Sequence, residues 1–147
     1  MKKIHPIEAL IEQGEHQQLD FKFEVSDSKK IARTLSAFAN TDGGRLLIGV
    51  KDNGNISGVR SEEEYYMIEA ASRMYTRPEV PFEATRWEVN GKTVLEVYIA
   101  PSPDKPHTAP DKDNKFKAYI RLPMKIYWPM KCWCLPGRKS INGTGLY

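Results

Sequence analysis

Apolar and charged residues alternate early in the chain, from Leu19 to Phe23. Alternation with a period of two predicts a strand that is buried on one face. Leu19, Phe21 and Phe23 would then face the core. Asp20 and Lys22 would lie together on the opposite, solvated face.

The pattern changes to helical spacing after this strand and then to a continuous apolar run. Ile31, Leu35 and Phe38 recur at helical intervals, which predicts a helix that ends in the segment 40–44. The glycine pair in that segment suits a helix C-cap. The run 46–50 is apolar throughout and predicts a strand buried on both faces.

The second half of the chain predicts one more long helix and mostly antiparallel strands. Met67 and Met74 share one face of the helix, and Asn90-Gly91 is a strong hairpin signal between strands over 83–89 and 93–99. A proline-rich loop precedes a last strand over 116–121, and a short helix is predicted over 6–12. The fold class is therefore α+β, with a mostly antiparallel or mixed sheet and two principal helices.

Charge is distributed unevenly along the 147 residues. Residues 1–121 hold 18 Lys and Arg and all 19 Asp and Glu, whereas residues 122–147 hold four basic residues and no acid. The overall charge of +3 therefore comes from the tail. This break predicts a domain over 1–121 and an atypical basic tail over 122–147.

The tail has two interpretations. Plausible codons for 124–133, read one frame away, encode Glu-Asn-Ile-Leu-Ala-Asn-Glu-Met-Leu. This alternative sequence contains acidic residues, as residues 1–121 do, and indicates a single-nucleotide deletion near the Leu122 codon. The alternative is a genuine basic, aromatic tail that binds nucleic acid or a partner. Resequencing an independent isolate distinguishes the two.

Several classes of protein are disfavoured by what the sequence lacks. The longest apolar run is too short to span a membrane, and no secretory signal is recognisable, so we expect a cytoplasmic protein without a membrane partner. No phosphate-binding loop of the Gly-x-x-x-x-Gly-Lys type occurs, so no ATP site is expected. Cys132 and Cys134 have neither the spacing nor the partner pair of a zinc site.

Three acidic residues and one lysine are the candidate catalytic group: Glu15, Asp20, Asp52 and Lys22. Clustered carboxylates can hold a divalent metal against phosphate oxygens, and a lysine can stabilise developing negative charge. The alternative is an ion pair between Asp20 and Lys22 on a solvated strand face, which spacing alone favours. Lys105 and His107 could contact phosphate or could be loop surface.

An ordered series of motifs resembles a known family. It comprises Leu19-Asp20-Phe21-Lys22, the segment 36–44, the run 47–50, Gly54, Gly58-Val59, the loop 101–107 and the segment 118–121. Together, over roughly residues 10–121, they resemble the Schlafen AlbA-type domain, a bacterial domain named for DNA binding and formerly called divergent AAA-type.

The resemblance implies a nuclease as one candidate. Some eukaryotic relatives are endoribonucleases with three carboxylates and a divalent metal, and Glu15, Asp20 and Asp52 take the three places here, with Asp20 in place of the usual Glu. The metal would be Mg²⁺ or Mn²⁺. Parallel pairing of the two strands would place Asp20 and Asp52 toward opposite ends, so convergence would need a short first strand, a bend or antiparallel pairing.

The resulting prediction is a nucleic-acid-binding domain for RNA or DNA, acting in transcriptional regulation or defence, with the metal-dependent endoribonuclease as the alternative. A protein-interaction remnant without either activity is a third interpretation. Because the eukaryotic relatives use two such lobes, a homodimer is expected. The predicted nucleic-acid contacts are Lys22, Arg45, Lys51, Lys105 and His107.

Overall fold

The computed structural model describes residues 5–59, 62–122 and 132–134, the last three by their backbone alone. Three helices and seven strands follow one another along this part of the chain. In chain order they are α1 (Pro6–Gln13), β1 (Leu19–Lys22), α2 (Ser28–Asn40), β2 (Gly44–Ile48), α3 (Glu63–Tyr75), β3 (Glu83–Val89), β4 (Lys92–Ile99), β5 (Thr108–Pro110), β6 (Phe116–Arg121) and β7 (Cys132–Cys134). No helix among the described residues is long and apolar enough to cross a membrane.

The main sheet has four strands in the order β1-β2-β4-β3. β1 and β2 are parallel because α2 crosses between them, and the other two pairs are antiparallel. Asn90 and Gly91 both adopt positive φ at the β3–β4 hairpin, as the sequence predicts. The mixed sheet confirms the α+β fold class.

Helices cover both faces of the main sheet, and a second sheet packs against one of those helices. α1 covers one face through a core of Ile7, Leu19, Phe21 and Leu47 and their neighbours. α2 covers the other face, where Leu35 and Phe38 pack against Leu46 and Ile48. The smaller antiparallel sheet β5-β6-β7 packs on the far side of α2, and α3 packs beside it.

α2 begins and ends through specific local contacts. Asp27 caps its first turn, with Oδ1 accepting from the backbone N–H groups of Lys29 and Lys30 at 3.0 and 3.4 Å. At the other end the Gly43 N–H donates to the Phe38 carbonyl at 2.8 Å. The glycine pair thus closes the helix and leads directly into β2.

Two sequence predictions for β1 are wrong. Phe23 lies beyond the strand and 46% of its surface is exposed, because the chain turns away from the sheet after Lys22 toward α2. The polar face of β1 is not solvated, since Asp20 is fully buried on the α2 side of the sheet. Of the predicted tail, only Leu122 and β7 fall within the described residues, so the frameshift hypothesis lies outside them.

Candidate functional site

A tight turn over residues 15–18 closes the outer edge of β1. His16 and Leu19 exchange two backbone hydrogen bonds of 2.9 and 3.1 Å. Glu15 Oε2 accepts the Phe21 N–H at 3.0 Å, a donor that points away from β2. An edge strand otherwise exposes such donors, so Glu15 satisfies the backbone and is itself held in place.

Asp20 lies directly beneath this turn. Leu19 and Phe21 belong to the α1 core, so Asp20, which alternates with them, points to the α2 side. Its Oδ2 lies 3.4 Å from Lys22 Nζ and 3.7 Å from the nearest Arg121 nitrogen. With both carboxyl groups deprotonated, neither Asp20 oxygen accepts a hydrogen bond from any described residue. A buried carboxylate in this state favours a nearby proton or cation.

Glu15 supplies that proton. Desolvation by burial, a hydrogen bond to Asp20, and the negative charges of Asp20 and Asp52 together raise the pKa of Glu15 to about 8. The Phe21 N–H opposes this shift by stabilising the carboxylate form. Near neutral pH the pair therefore carries one proton that its two acids share.

The stability of the protein should consequently fall as the pH rises. An unfolded glutamate loses its proton near pH 4.5, whereas folded Glu15 retains it to about pH 8. The stabilisation is complete below about pH 4.5 and is lost progressively as the pH rises to 8. We expect Glu15→Gln to reduce the decline in melting temperature between pH 5 and pH 9 by roughly 5 °C, because neutral glutamine keeps both hydrogen bonds.

Glu12→Gln is the matched control for this experiment, since Glu12 is exposed on α1. It should leave the pH dependence of the melting temperature as it is in the unsubstituted protein. An equal fall in melting temperature between pH 5 and pH 9 for the Glu15→Gln variant and the unsubstituted protein would contradict the shared proton.

Arg121 is the residue of this site that sequence reasoning missed. Its guanidinium donates to the carbonyls of Gln17 and His16 at 3.0 and 2.8 Å and lies 4.5 Å from the Phe38 ring centroid. Only 6% of Arg121 is exposed. It joins the 15–18 turn, the buried Asp20 and α2. The resemblance included Arg121 in the segment 118–121 but gave it no role.

Asp52 lies in a turn near the Glu15–Asp20 pair. The strands do pair in parallel, and a turn after Val50, closed by the 2.9 Å hydrogen bond from the Lys51 N–H to the Asn55 carbonyl, brings Asp52 close enough to influence Glu15. Asp52 itself is exposed. Among the described residues, no group of three or more His, Cys, Asp or Glu side chains is placed to hold one metal ion. A divalent metal held by the Glu15–Asp20 pair would need further oxygen ligands, since Mg²⁺ takes about six.

A second missed feature is an exposed aromatic–cation pair, which we name the Phe23–Lys51 surface. Lys51 Nζ lies 5.7 Å from the centroid of the Phe23 ring. Both residues are exposed, one just after β1 and the other in the turn that follows β2. Because β1 and β2 are parallel, these positions meet at the same end of the sheet. The expectation that Phe23 is a core residue concealed this pair.

The other predicted nucleic-acid contacts are dispersed. Lys22 is largely buried against Asp20. Arg45 is on the α1 side of the sheet, where it binds Glu96 at 2.6 Å and stacks on Tyr98. Lys105 is exposed beside the C-terminal end of α2, where its Nζ lies 3.4 Å from the Thr41 carbonyl.

His107 is placed inside the protein. Only 1% of it is exposed, and both ring nitrogens are within hydrogen-bonding distance of protein oxygen atoms, those of Pro78 and Ser102. A histidine in this setting does not present its ring to an external phosphate group.

The fold is shared with two solved structures. The DIP2311 protein from Corynebacterium diphtheriae is 18% identical, with a TM-score of 0.60 over 88% of this chain and 29% of that protein. The N-terminal domain of an ATP-dependent DNA helicase RecG-related protein from Nitrosomonas europaea is 24% identical, with a TM-score of 0.51 over 84% of this chain and 88% of that domain. These identities establish the fold alone.

The sequence comparisons give the family. No curated protein matches the chain. The model of the family described as Schlafen, AlbA_2 matches residues 15–125, which include Glu15, the Phe23–Lys51 surface and Arg121. The chain therefore belongs to the Schlafen AlbA_2 family.

Proposed function

We propose that this domain binds single-stranded nucleic acid at the Phe23–Lys51 surface. The observation that carries the proposal is an exposed phenyl ring, 46% accessible, with an ammonium group 5.7 Å from its centroid. Proteins that bind single strands combine aromatic rings, on which bases stack, with cations that contact the phosphates. Phe23 would supply the ring and Lys51 the cation.

A solved structure of the same fold supports the same proposal. A RecG-related protein carries a domain of this fold at its N-terminus, and its name associates it with DNA. Net charge does not supply the argument, because residues 1–121 are slightly acidic and the basic excess lies in 122–147. Binding would depend on local cations, with Lys105 as a more distant phosphate contact. Transcriptional regulation or defence are roles that such binding would serve.

The test is the affinity for a fluorescent single-stranded oligonucleotide, measured by anisotropy in RNA and DNA arms over a series of salt concentrations. We expect Phe23→Ala to weaken binding by roughly 10-fold at every salt concentration, because a stacking contact of about 1 to 3 kcal/mol is lost. Lys51→Ala should weaken binding and also reduce the steepness of the salt dependence, because one phosphate contact is removed.

Arg73→Ala is the matched control. Arg73 is exposed on α3, where it pairs with Glu69, so its substitution removes one positive charge away from the proposed surface. Equal losses for Lys51→Ala and Arg73→Ala would show that only overall charge matters and would contradict the proposed location. Absence of binding even at low salt would favour the interaction remnant.

We propose a metal-dependent endoribonuclease as the second candidate function. The observation that favours it is the Glu15–Asp20 pair, in which a fully buried carboxyl group lies beside a second acid and could exchange the shared proton for a cation. Asp20 lies on β1, and Phe23 follows directly after the end of that strand. A metal held there would need further ligands, such as water or the substrate phosphate.

Cleavage of tRNA with Mn²⁺ tests this second proposal. We expect cleavage that Asp20→Asn abolishes while single-strand binding persists, because the substitution removes a carboxylate and leaves Phe23 and Lys51 in place. Glu12→Gln should cleave normally. Binding without cleavage at any metal concentration would leave the domain as a binding module.

A homodimer is part of the proposal for the assembled protein. Light scattering after size exclusion should give a mass near twice the 16.8 kDa of the chain. A monomer at high concentration would contradict the expectation.

A further inference from the structure

A serine and a histidine meet in the loop between β4 and β5. Ser102 Oγ lies 2.6 Å from His107 Nε2, and His107 Nδ1 lies 2.7 Å from the Pro78 carbonyl oxygen. A carbonyl oxygen can only accept a hydrogen bond, so Nδ1 carries the proton of the neutral ring. Nε2 is then unprotonated and accepts from the Ser102 hydroxyl. The imidazole is oriented as a base toward this one hydroxyl.

The two residues are fixed by independent contacts. The His107 N–H donates to Asn40 Oδ1 at 2.7 Å, and the Asn40 amide donates to the His107 carbonyl at 2.9 Å. The Ser102 N–H donates to the Ala39 carbonyl at 3.0 Å. The Asp104 N–H donates to Ser102 Oγ at 2.9 Å, which would stabilise negative charge on that oxygen.

Exposure differs between the two partners in the way that a nucleophile and its base require. The His107 ring is almost fully buried, whereas Ser102 is half-buried in a loop whose neighbouring residues, Pro101 and Pro103 to Lys105, are exposed. Part of the Ser102 surface therefore reaches solvent, whereas the imidazole is shielded from it. A hydroxyl within hydrogen-bonding reach of a base that a third group orients is the usual arrangement of an activated nucleophile.

We propose that Ser102 is a nucleophile activated by His107, which forms a covalent ester adduct with activated esters. Ser102 Oγ attacks the electrophilic carbon or phosphorus atom, and a new bond from Oγ to that atom forms. The bond to the leaving group breaks, and the leaving group departs with the electron pair. The hydroxyl proton passes to His107 Nε2, which releases it to solvent or to the leaving group.

This site is separate from the Phe23–Lys51 surface. Ser102 is bonded to the C-terminal end of α2, whereas Phe23 precedes its N-terminal end. The inference therefore stands on its own geometry, and its test does not depend on nucleic-acid binding.

A fluorophosphonate probe tests the proposal on the intact chain, with the adduct mapped by peptide mass spectrometry. In the expected reaction fluoride leaves and one phosphonyl group is bound to Ser102. We expect Ser102 to react about 100-fold faster than Ser57, the size of effect that a positioned base supplies. Ser57 is the internal control, because its Oγ donates to the Gly49 carbonyl and no imidazole of the described residues is bonded to it.

His107→Gln supplies the second measurement. It should slow the labelling of Ser102 about 100-fold, because an amide cannot act as the base. If this variant does not fold, labelling of the unsubstituted protein in urea replaces it, and the rate at Ser102 should then fall to that of Ser57. The proposal would be overturned if the folded protein labelled Ser102 no faster than Ser57. It would also be overturned if folded His107→Gln labelled Ser102 as fast as the unsubstituted protein does.

Discussion

Replacement of Arg121 by methionine should lower the free energy of unfolding by about 3 to 5 kcal/mol, the range observed when one partner of a buried ion pair is removed. Methionine fills much of the same space beside Phe38 but carries no charge and no donor. The hydrogen bonds from Arg121 to the carbonyls of His16 and Gln17 would be lost, and of the described cations beside Asp20 Lys22 would remain. Chemical denaturation at pH 7 measures the loss.

Arg77→Met is the control for this experiment. Arg77 also lies over a phenyl ring, 3.9 Å from the Phe116 centroid, but it is exposed. We expect its substitution to cost less than about 1 kcal/mol, since exposed cation–π contacts are weak. Equal losses at the two positions would show that the stacking contact, and not the buried hydrogen bonds, determines the effect.

Gly43→Ala should destabilise the protein by roughly 3 to 4 kcal/mol, through backbone strain and overpacking together. Gly43 adopts a φ of +73°, and a Cβ atom there would lie 2.6 Å from the Ile99 carbonyl oxygen and 2.8 Å from Pro101. These neighbours are backbone and ring atoms of the adjacent chain segment, so they cannot move aside as a flexible side chain can. The thermal unfolding midpoint and the denaturant midpoint should both fall.

Gly91→Ala separates strain from close packing. Gly91 has a similar φ of +79°, but a Cβ atom there would meet nothing within 4 Å. Only the conformational term remains, roughly 1 to 2 kcal/mol. A Gly43→Ala variant no less stable than Gly91→Ala would contradict the close approach of the 43–44 segment to the end of β4.

The sequence predicts elements whose periodicity is local. The Asn90-Gly91 hairpin, the α2 pattern and the buried run of β2 depend on neighbouring residues, and all three are present in the structure. Whether Phe23 is buried depends instead on the residue at which β1 ends, and the alternating pattern does not specify that residue. The chain leaves the sheet one residue earlier than the pattern indicates, and a predicted core residue becomes an exposed ring.

The candidate site shows the same limit. Glu15 and Asp20, which the family resemblance placed in one site, lie close together because the turn between them folds back on β1. Arg121 could not be placed by spacing, because it reaches Gln17 across more than 100 residues of sequence. The exposure of Asp52 and His107 also depends on tertiary structure. Asp52 is exposed in a turn, whereas His107 is buried against Pro78.

The central claim is that single-stranded nucleic acid binds at the Phe23–Lys51 surface, and mapping of amide chemical shifts tests it most directly. An unlabelled oligonucleotide is added to ¹⁵N-labelled protein at low salt. The predicted result is a set of shifts concentrated at residues 22–24 and 51–55, which disappears as salt is raised. Shifts confined to other surfaces, such as α3 or the α1 side of the sheet, or no shifts at low salt, would contradict it.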